Sequence, residues 1–263
     1  MNMPKQGLIG TASVLAFVLS APPLQGQHLH VNHDWDQCAI VIDPALTQSS
    51  WHQFVTEVGL VTHFRSLASA RPLGPGRFEV ALLNWGNRID PADDAWNDTF
   101  SHPDDTHWLF EGDALLIPGL MVRAGITDRI DVGAYFTKAV DSNYGFFGAQ
   151  LQYGLVNDTE RNLGVAGRIS TVRLYGPDDM DVSTYGLDLV ASKDISIFSP
   201  YVGVGSYWSR GHETTDKVDL EDESVLGAQA MVGVAARLWA LRLGAEAHLA
   251  EVSGYSFKIA FGI

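Results

Sequence analysis

Apolar and polar residues alternate with a period of two in ten successive segments, from residue 77 to the end of the chain. In the closing segment, Tyr255, Phe257 and Ile259 alternate with Ser256 and Lys258. Such alternation predicts β-strands that have one apolar and one polar face. The ten predicted strands cover residues 77–86, 114–126, 130–140, 144–155, 162–174, 182–194, 198–210, 224–238, 239–250 and 254–263.

The length of these segments favours a membrane barrel over a soluble sandwich. Most have 10–14 residues, whereas strands of soluble proteins usually have about 5–6 and tilted membrane-spanning strands need about 9–11. The polar row is rich in Gly and carries few charges, as expected of a lumen rather than of a solvated sheet face. Aromatic residues near the strand ends predict two interfacial girdles. They are Phe136, Tyr144, Trp208 and Tyr255 at one end, and Tyr153, Phe198, Trp239 and Phe261 at the other.

The connections between the segments differ in length. The long ones all follow odd-numbered strands, at 87–113, 175–181 and 211–223. Bacterial barrels have short periplasmic turns and longer extracellular loops, so these connections are predicted to face outward. A further strand pair, drawn from 57–68 and 106–111, would raise the strand count from ten to twelve.

The last ten residues, "GYSFKIAFGI", carry a resemblance to a known class. They resemble the C-terminal assembly signal of bacterial outer-membrane β-barrels, which alternates hydrophobic residues and usually ends on Phe; this chain ends Phe261-Gly262-Ile263 instead. As architecture the resemblance covers residues 77–263. It implies an all-β, antiparallel up-and-down transmembrane β-barrel in the cell outer membrane. Its implied partners are the barrel assembly machinery, outer-membrane lipid and lipopolysaccharide.

The N-terminal part of the chain has a different character. Residues 1–26 combine Lys5 with an apolar run and small residues, which predicts a secretory signal peptide and an exported protein. Residues 27–76 form a separate segment that is predicted to be periplasmic or to plug the barrel. Within it, Trp51, Phe54 and Val58 have helical spacing, with Ser50 as the expected N-cap.

Charge excludes one class of partner and suggests one ligand. The chain has a net charge of −14, which argues against nucleic acid because nucleic acid requires a basic surface. The lone Cys38 has no partner for an intramolecular disulfide. Many acids lie in the outward loops, where they either form a solvated surface or bind Ca²⁺. The candidate Ca²⁺ ligands, which lack EF-hand spacing, are Asp90, Asp93, Asp94 and Asp98. No other cofactor is expected.

The inward row of the barrel carries eight charges, four of each sign. They are Glu79, Arg123, Asp131, Arg168, Asp188, Arg242, Glu246 and Lys258. Short turns are predicted to place Glu246 opposite Lys258 and Arg123 within diagonal reach of Asp131. Arg168 and Asp188 are predicted to lie at matching depth on neighbouring strands. These pairs would either stabilise a closed barrel or line a path for solutes.

Barrel size limits the function. Eight strands leave an interior that side chains can fill, and sixteen to eighteen leave an open channel, so ten strands argue against a wide porin. The leading hypothesis is narrow or gated passage of small solutes across the outer membrane. The alternative is a non-conducting structural or surface-interaction barrel with acidic extracellular loops. A rim protease of the omptin type is a weaker alternative, because "HPDDTHW" at 102–108 matches no omptin motif; no enzymatic activity is expected.

Overall fold

The computed structural model describes residues 39–90, 93–101, 110–111, 114–139 and 142–263. The predicted signal peptide, 1–26, lies outside these residues, as does 27–38. Ten long antiparallel strands follow one another in the sheet, and the first pairs with both the second and the last, so the barrel is closed. The strands are β1 Phe78–Arg88, β2 Ala114–Gly125, β3 Ile130–Lys138, β4 Gly145–Asp158, β5 Leu163–Tyr175, β6 Met180–Lys193, β7 Phe198–Glu213, β8 Glu223–Leu238, β9 Leu241–Leu249 and β10 Gly254–Gly262.

The all-β, ten-stranded prediction is therefore confirmed, and the twelve-stranded alternative is wrong. Residues 57–61 end a helix, and 62–68 form no strand. Phe110–Glu111 is a two-residue strand that pairs with the start of β2 inside the first loop. A second two-residue strand, Ala39–Ile40, pairs with Phe100–Ser101 of the same loop.

Alternation along each strand separates an apolar outside from a polar inside. Leu82 and Phe261 face outward and are 66% and 67% exposed, whereas the inward Lys258 is only 3% exposed. A closed barrel hydrogen-bonds its backbone from strand to strand, and an apolar outer band matches hydrocarbon. Together with closure, this band confirms an outer-membrane β-barrel.

The aromatic girdles are present with one exception. Trp208 and Tyr255 face outward at one end of the barrel, and Phe198 lies at the other, where Trp239 is 100% exposed in a turn. The prediction for Tyr144 is wrong, because its side chain is 6% exposed and packs inward against Phe100 and Phe146. Tyr144 precedes β4, so the strand's alternation does not fix its direction.

Loops and turns lie at opposite ends of the barrel. The loops are 89–113, 139–144, 176–179, 214–222 and 250–253, and the turns are 126–129, 159–162, 194–197 and 239–240. The two ends are called the loop end and the turn end below. The longest connections are all at the loop end, as predicted.

Two helices lie at the loop end. Helix α1, Gln48–Val61, begins after Thr47, whose hydroxyl accepts from the Ser50 backbone amide. Thr47 and not Ser50 is therefore the N-cap. Helix α2, Asp94–Asn97, is one turn within the first loop and is capped by Asp93. Neither helix is long and apolar enough to cross a membrane, in the parts of the chain that the structure describes.

Residues 48–77, called the plug here, run through the lumen from the loop end to the turn end. Helix α1 packs against the loop-end halves of β7 and β8, and the chain then continues without regular structure to β1. At the turn end, the Gly76 amide donates to the Gly125 carbonyl over 3.1 Å. A Cβ on Gly125 would collide with the Gly74 carbonyl, so only glycine allows the plug to leave the barrel by this route.

Candidate functional site

The candidate site is the plugged lumen. All eight predicted charges face inward, and seven of them are 5% exposed or less, the exception being Arg242 near the turn end. The strands contribute them at several depths, so the wall behind the plug is polar along much of its length. The plug contacts side chains of this wall at successive depths, from the loop end to the turn end.

An apolar cluster closes the loop end. Trp51 and Phe54 of α1 stack with ring centroids 5.8 Å apart, and Phe54 packs edge-on against Trp96 of the first loop at 5.2 Å. These three side chains are buried. At the rim, His52 Nδ1 lies 2.7 Å from a carboxylate oxygen of Glu223. The start of the plug is thus held by apolar packing and by polar contacts to Glu223 of β8, which also accepts from the Gln48 side chain.

The next level joins the end of α1 to β6. The hydroxyls of Thr62 and Thr184 are 2.9 Å apart. His63 Nε2 lies 3.1 and 3.2 Å from the two oxygens of Asp188, which also accepts from Gln229 at 3.2 Å. These groups are buried, so Asp188 has a partner from the plug and a partner from the wall.

Arg65 is buried in the lumen beside the loop-end part of β1. Its Nη2 donates to the Asn87 side chain and to the Leu60 carbonyl, both over 2.8 Å. Its guanidinium carbon lies 5.5 Å from the ring centroid of Trp85, a cation–π distance. Within the described residues, Nε and Nη1 of Arg65 have no hydrogen-bond partner. Only one of the three nitrogen atoms of this buried guanidinium is therefore hydrogen-bonded to the described residues.

Glu79 is the centre of a charge cluster nearer the turn end. Its carboxylate lies 2.9 Å from Lys258 Nζ, 3.4 Å from Arg242 and 3.9 Å from Arg123. Lys258 also donates to the plug at the Ser66 carbonyl over 2.9 Å. One ammonium therefore ties the plug to the wall.

The predicted contact between Glu246 and Lys258 is wrong. Glu246 lies opposite Ser256, and Lys258 lies opposite Gly244. The prediction assumed a three-residue turn at 251–253, whereas the last paired residues are His248 and Gly254, so five residues lie between them. Glu246 instead accepts from Tyr201 at 2.7 Å and lies 2.8 Å from His248.

The other two predicted pairs lie where the sequence placed them, but only one is an ion pair. Arg123 Nη2 and Asp131 are 2.5 Å apart, and Asp131 also accepts from the plug at the Leu73 amide over 3.0 Å. Arg168 and Asp188 are cross-strand neighbours. Arg168 donates to plug carbonyls, at Ala68 over 2.7 Å and at Ser69 over 3.3 Å, and to Gln152. The wall charges thus bind the plug as well as one another.

The predicted Ca²⁺ ligands do not converge. Asp93 caps α2 and accepts from Gln53 of the plug at 3.1 Å, and Asp98 ends the same helix. Asp94 lies in its first turn, and Asp90 precedes it in the loop. Across the described ranges, no group of three or more His, Cys, Asp or Glu side chains has a geometry that would hold a metal ion.

Sequence reasoning missed the plug's share of this site. His63 and the backbone between Ser66 and Leu73 supply groups that the wall charges contact, and Arg65 donates to the wall amide of Asn87. The stretch 62–73 has no clear periodicity. It does combine cations with small residues, and it leads into "RPLGPG" at 71–76, whose Pro and Gly residues interrupt regular structure. That composition was the one signal available.

Comparison with known proteins gives distant structural likeness. No protein-family model matches the sequence, and no curated protein matches it. The chain is similar to the solved structure of an outer membrane channel from Pseudomonas putida F1, at 10% identity over 74% of this chain and 98% of that one, with a TM-score of 0.44. It is also similar to the translocator domain of autotransporter NalP from Neisseria meningitidis, at 10% identity, 80% and 92% coverage and a TM-score of 0.40. A third is Ail, the attachment invasion locus protein of Yersinia pestis, at 11% identity, 72% and 99% coverage and a TM-score of 0.32.

Proposed function

We propose that this protein is a gated outer-membrane barrel that passes small solutes when the plug moves aside. The observation that carries the proposal is how the plug crosses the lumen. Between α1 and Leu73 it forms no strand pairing with the wall and is held by separate hydrogen bonds to wall side chains. Water or a polar solute can replace such bonds one at a time.

The strength of these bonds supports a movable plug. Arg168, Lys258 and Asp131 bind plug carbonyls or amides at 2.7, 2.9 and 3.0 Å. A hydrogen bond to a charged group contributes about 1.5–3 kcal/mol net, less where water takes its place. Displacing the plug therefore breaks several such bonds, and water in the opened lumen can then hydrogen-bond each wall group in place of the plug.

The chemistry of the wall supports a polar path. Buried charges and amides are costly in a barrel that only has to be filled, because well-packed apolar side chains fill space with less desolvation. Here Gln150, Gln152 and Gln229 face inward between the charges. A wall of this kind suits hydrated solutes.

The competing proposal is a permanently closed barrel. The apolar cluster of α1 and the first loop favours it, because Trp51 and Phe54 are fully buried and resist opening at the loop end. The two proposals differ in whether the plug ever leaves the wall.

Single-channel current separates the two proposals. The mature chain would be refolded into planar bilayers, with its fold checked by heat-modifiable gel mobility. Arg168→Met removes two bonds to the plug, at Ala68 and Ser69, so the variant should open more often than the parent. Arg173→Met is the matched control, since Arg173 lies on the same strand but faces outward and is exposed.

The outcomes are distinct. Openings in the parent that become more frequent in Arg168→Met but not in Arg173→Met support gating. Silence from the parent and from Arg168→Met, with both folded, would leave the closed structural barrel.

The orientation and partners are part of the proposal. The longer loops are assigned to the cell exterior. Near that end, Arg88, Arg173 and Arg210 face outward and are exposed, where they suit the phosphates of lipopolysaccharide. The apolar alternation of β10 suits recognition by the barrel assembly machinery. The proposed role is passage rather than catalysis, and it assigns no reaction to rim residues such as His212, which lies 2.5 Å from Asp222.

A further inference from the structure

A cavity of ≈ 290 Å³ lies at the turn end of the barrel, between the end of the plug and the wall. Plug residues from Leu67 to Leu73 form one side, and β1, β8, β9 and β10 contribute to the other. Its lining includes six cationic side chains, at Arg71, Arg77, Arg123, Arg237, Arg242 and Lys258. It includes only two carboxylates, Glu79 and Asp194.

Three of these cations each form an ion pair with a nearby carboxylate. Lys258 lies 2.9 Å from Glu79, and Arg71 lies 2.7 Å from Asp194. Arg123 pairs with Asp131, behind the cavity. Half of the cationic groups in the cavity are therefore neutralised by a partner of their own.

The other three cations are guanidiniums without such a partner. Arg242 reaches Glu79 at 3.4 Å but shares it with Lys258, which is closer. Arg77 and Arg237 make no ion pair with any of the described residues. The cavity thus has an excess of positive charge, in a protein whose net charge is −14.

The fold places two of these guanidiniums side by side. Arg237 and Arg242 are directly opposite each other on β8 and β9, and like charges opposite each other destabilise a sheet. Arg242 also lies against Gly262 of β10, where a Cβ would be 2.8 Å from its Nε. That Nε is buried and has no hydrogen-bond partner among the described residues. An anion between the guanidiniums would relieve the repulsion and accept from Nε.

We propose that this cavity binds a small oxyanion, with the phosphate group as its ligand chemistry. Guanidinium groups bind phosphate oxygens in a bidentate manner and keep their charge at any physiological pH. The volume suits a phosphate or a small phosphorylated molecule. The inference goes beyond the proposed passage of solutes, because binding at the turn end does not require the plug to move.

Two sources can supply this chemistry, a free phosphate compound and a phospholipid head group from the adjacent leaflet. Calorimetric titration of the full mature chain with inorganic phosphate, in a non-ionic detergent, measures the first. Titration of the chain in phosphatidylcholine nanodiscs, with and without phosphatidylglycerol, measures the second through competition.

The test variant is Arg237→Gln/Arg242→Gln, and the matched control is Arg129→Gln/Arg161→Gln, which removes two exposed cations from turns at the same end of the barrel but outside the cavity lining. Loss of charge-assisted hydrogen bonds worth about 1.5–3 kcal/mol should weaken binding by about tenfold or more in the test variant. The control should bind as the parent does. Arg237→Gln alone provides a milder variant, since Arg237 is exposed and its replacement leaves the Arg242–Glu79 contact in place.

Each result has one meaning. Phosphate binding that the test variant weakens supports the proposal with a free oxyanion. If the parent binds inorganic phosphate in nanodiscs of phosphatidylcholine alone but not in nanodiscs that also contain phosphatidylglycerol, the result supports the proposal with a lipid head group as the occupant. Parent and folded test variants that do not differ toward either ligand would overturn it, and none of these results depends on whether the barrel conducts.

Discussion

Replacing Lys258 tests the charge cluster around Glu79. The Lys258→Met side chain has a similar length but no charge, so the variant loses the 2.9 Å ion pair to Glu79 and the 2.9 Å bond to the Ser66 carbonyl. Removing one partner of a buried ion pair costs about 3–5 kcal/mol when the remaining charge is left without compensation. Here two guanidiniums stay near Glu79, Arg242 at 3.4 Å and Arg123 at 3.9 Å.

The expected loss of unfolding free energy is therefore about 2–3 kcal/mol, below the range for an uncompensated charge. The assay is urea unfolding of the mature chain in phospholipid vesicles, followed by tryptophan fluorescence. Combining Lys258→Met with Glu79→Gln completes a double-mutant cycle, and contacting charges should give a coupling of about 1–3 kcal/mol. Lys193→Met, at an exposed outward position, is the control and should unfold like the parent. A Lys258→Met variant as stable as the parent, or an additive cycle, would refute the description of this cluster.

Three further perturbations test other parts of the account. Gly59→Val places a Cβ 2.7 Å from that of Ser209, so α1 should no longer pack against β7 and the plug should become sensitive to limited proteolysis. A plug as resistant to protease as in the parent would contradict the packing of α1 on β7. Trp51→Ala removes a fully buried side chain and should cost about 3–5 kcal/mol in urea unfolding, and a loss near zero would count against the loop-end cluster. Leu82→Arg puts a charge on the lipid face and should cost about 2–4 kcal/mol if Leu82 lies near the bilayer midplane; Leu82→Val, the control, should fold normally, and equal stability of the two would contradict the assigned outer face.

The barrel could be predicted because two different media impose a strict alternation. In β4, Phe147 and Leu151 meet lipid while Gln150 and Gln152 meet the lumen, and each step along the strand changes the side. The pattern is long and repeats ten times, so it predicts the face of each residue in ten strands, although it left open a further pair from 57–68 and 106–111. Tyr144 lies beyond the end of such a pattern, and there the prediction failed.

Register could not be predicted to the same degree. The sequence assigned Glu246 and Lys258 to the lumen correctly but made them neighbours, whereas Lys258 lies opposite Gly244. A shift of two residues between strands leaves every side chain on its original face. Alternation therefore cannot distinguish these registers, which depend on the conformation of the loop.

The plug could be suspected but not placed. Its contacts join residues far apart in sequence, such as His63 with Asp188 and Ser66 with Lys258. No periodicity links an irregular segment to the strands around it. The path of the plug through the lumen is determined by its contacts with the closed barrel and with the charges inside it.

The current through a barrel whose plug is locked by a disulfide shows whether solutes pass only when the plug moves. The hydroxyls of Thr62 and Thr184 are 2.9 Å apart, so Thr62→Cys/Thr184→Cys, in a Cys38→Ser background, places two thiols within reach of a disulfide. A gated plug should give a silent bilayer while the disulfide is intact and single-channel openings after a reductant is added, with no response to reductant in Thr62→Cys alone. Openings of the same size and frequency before and after reduction would show that solutes pass without movement of the plug, and that the plug is not a gate.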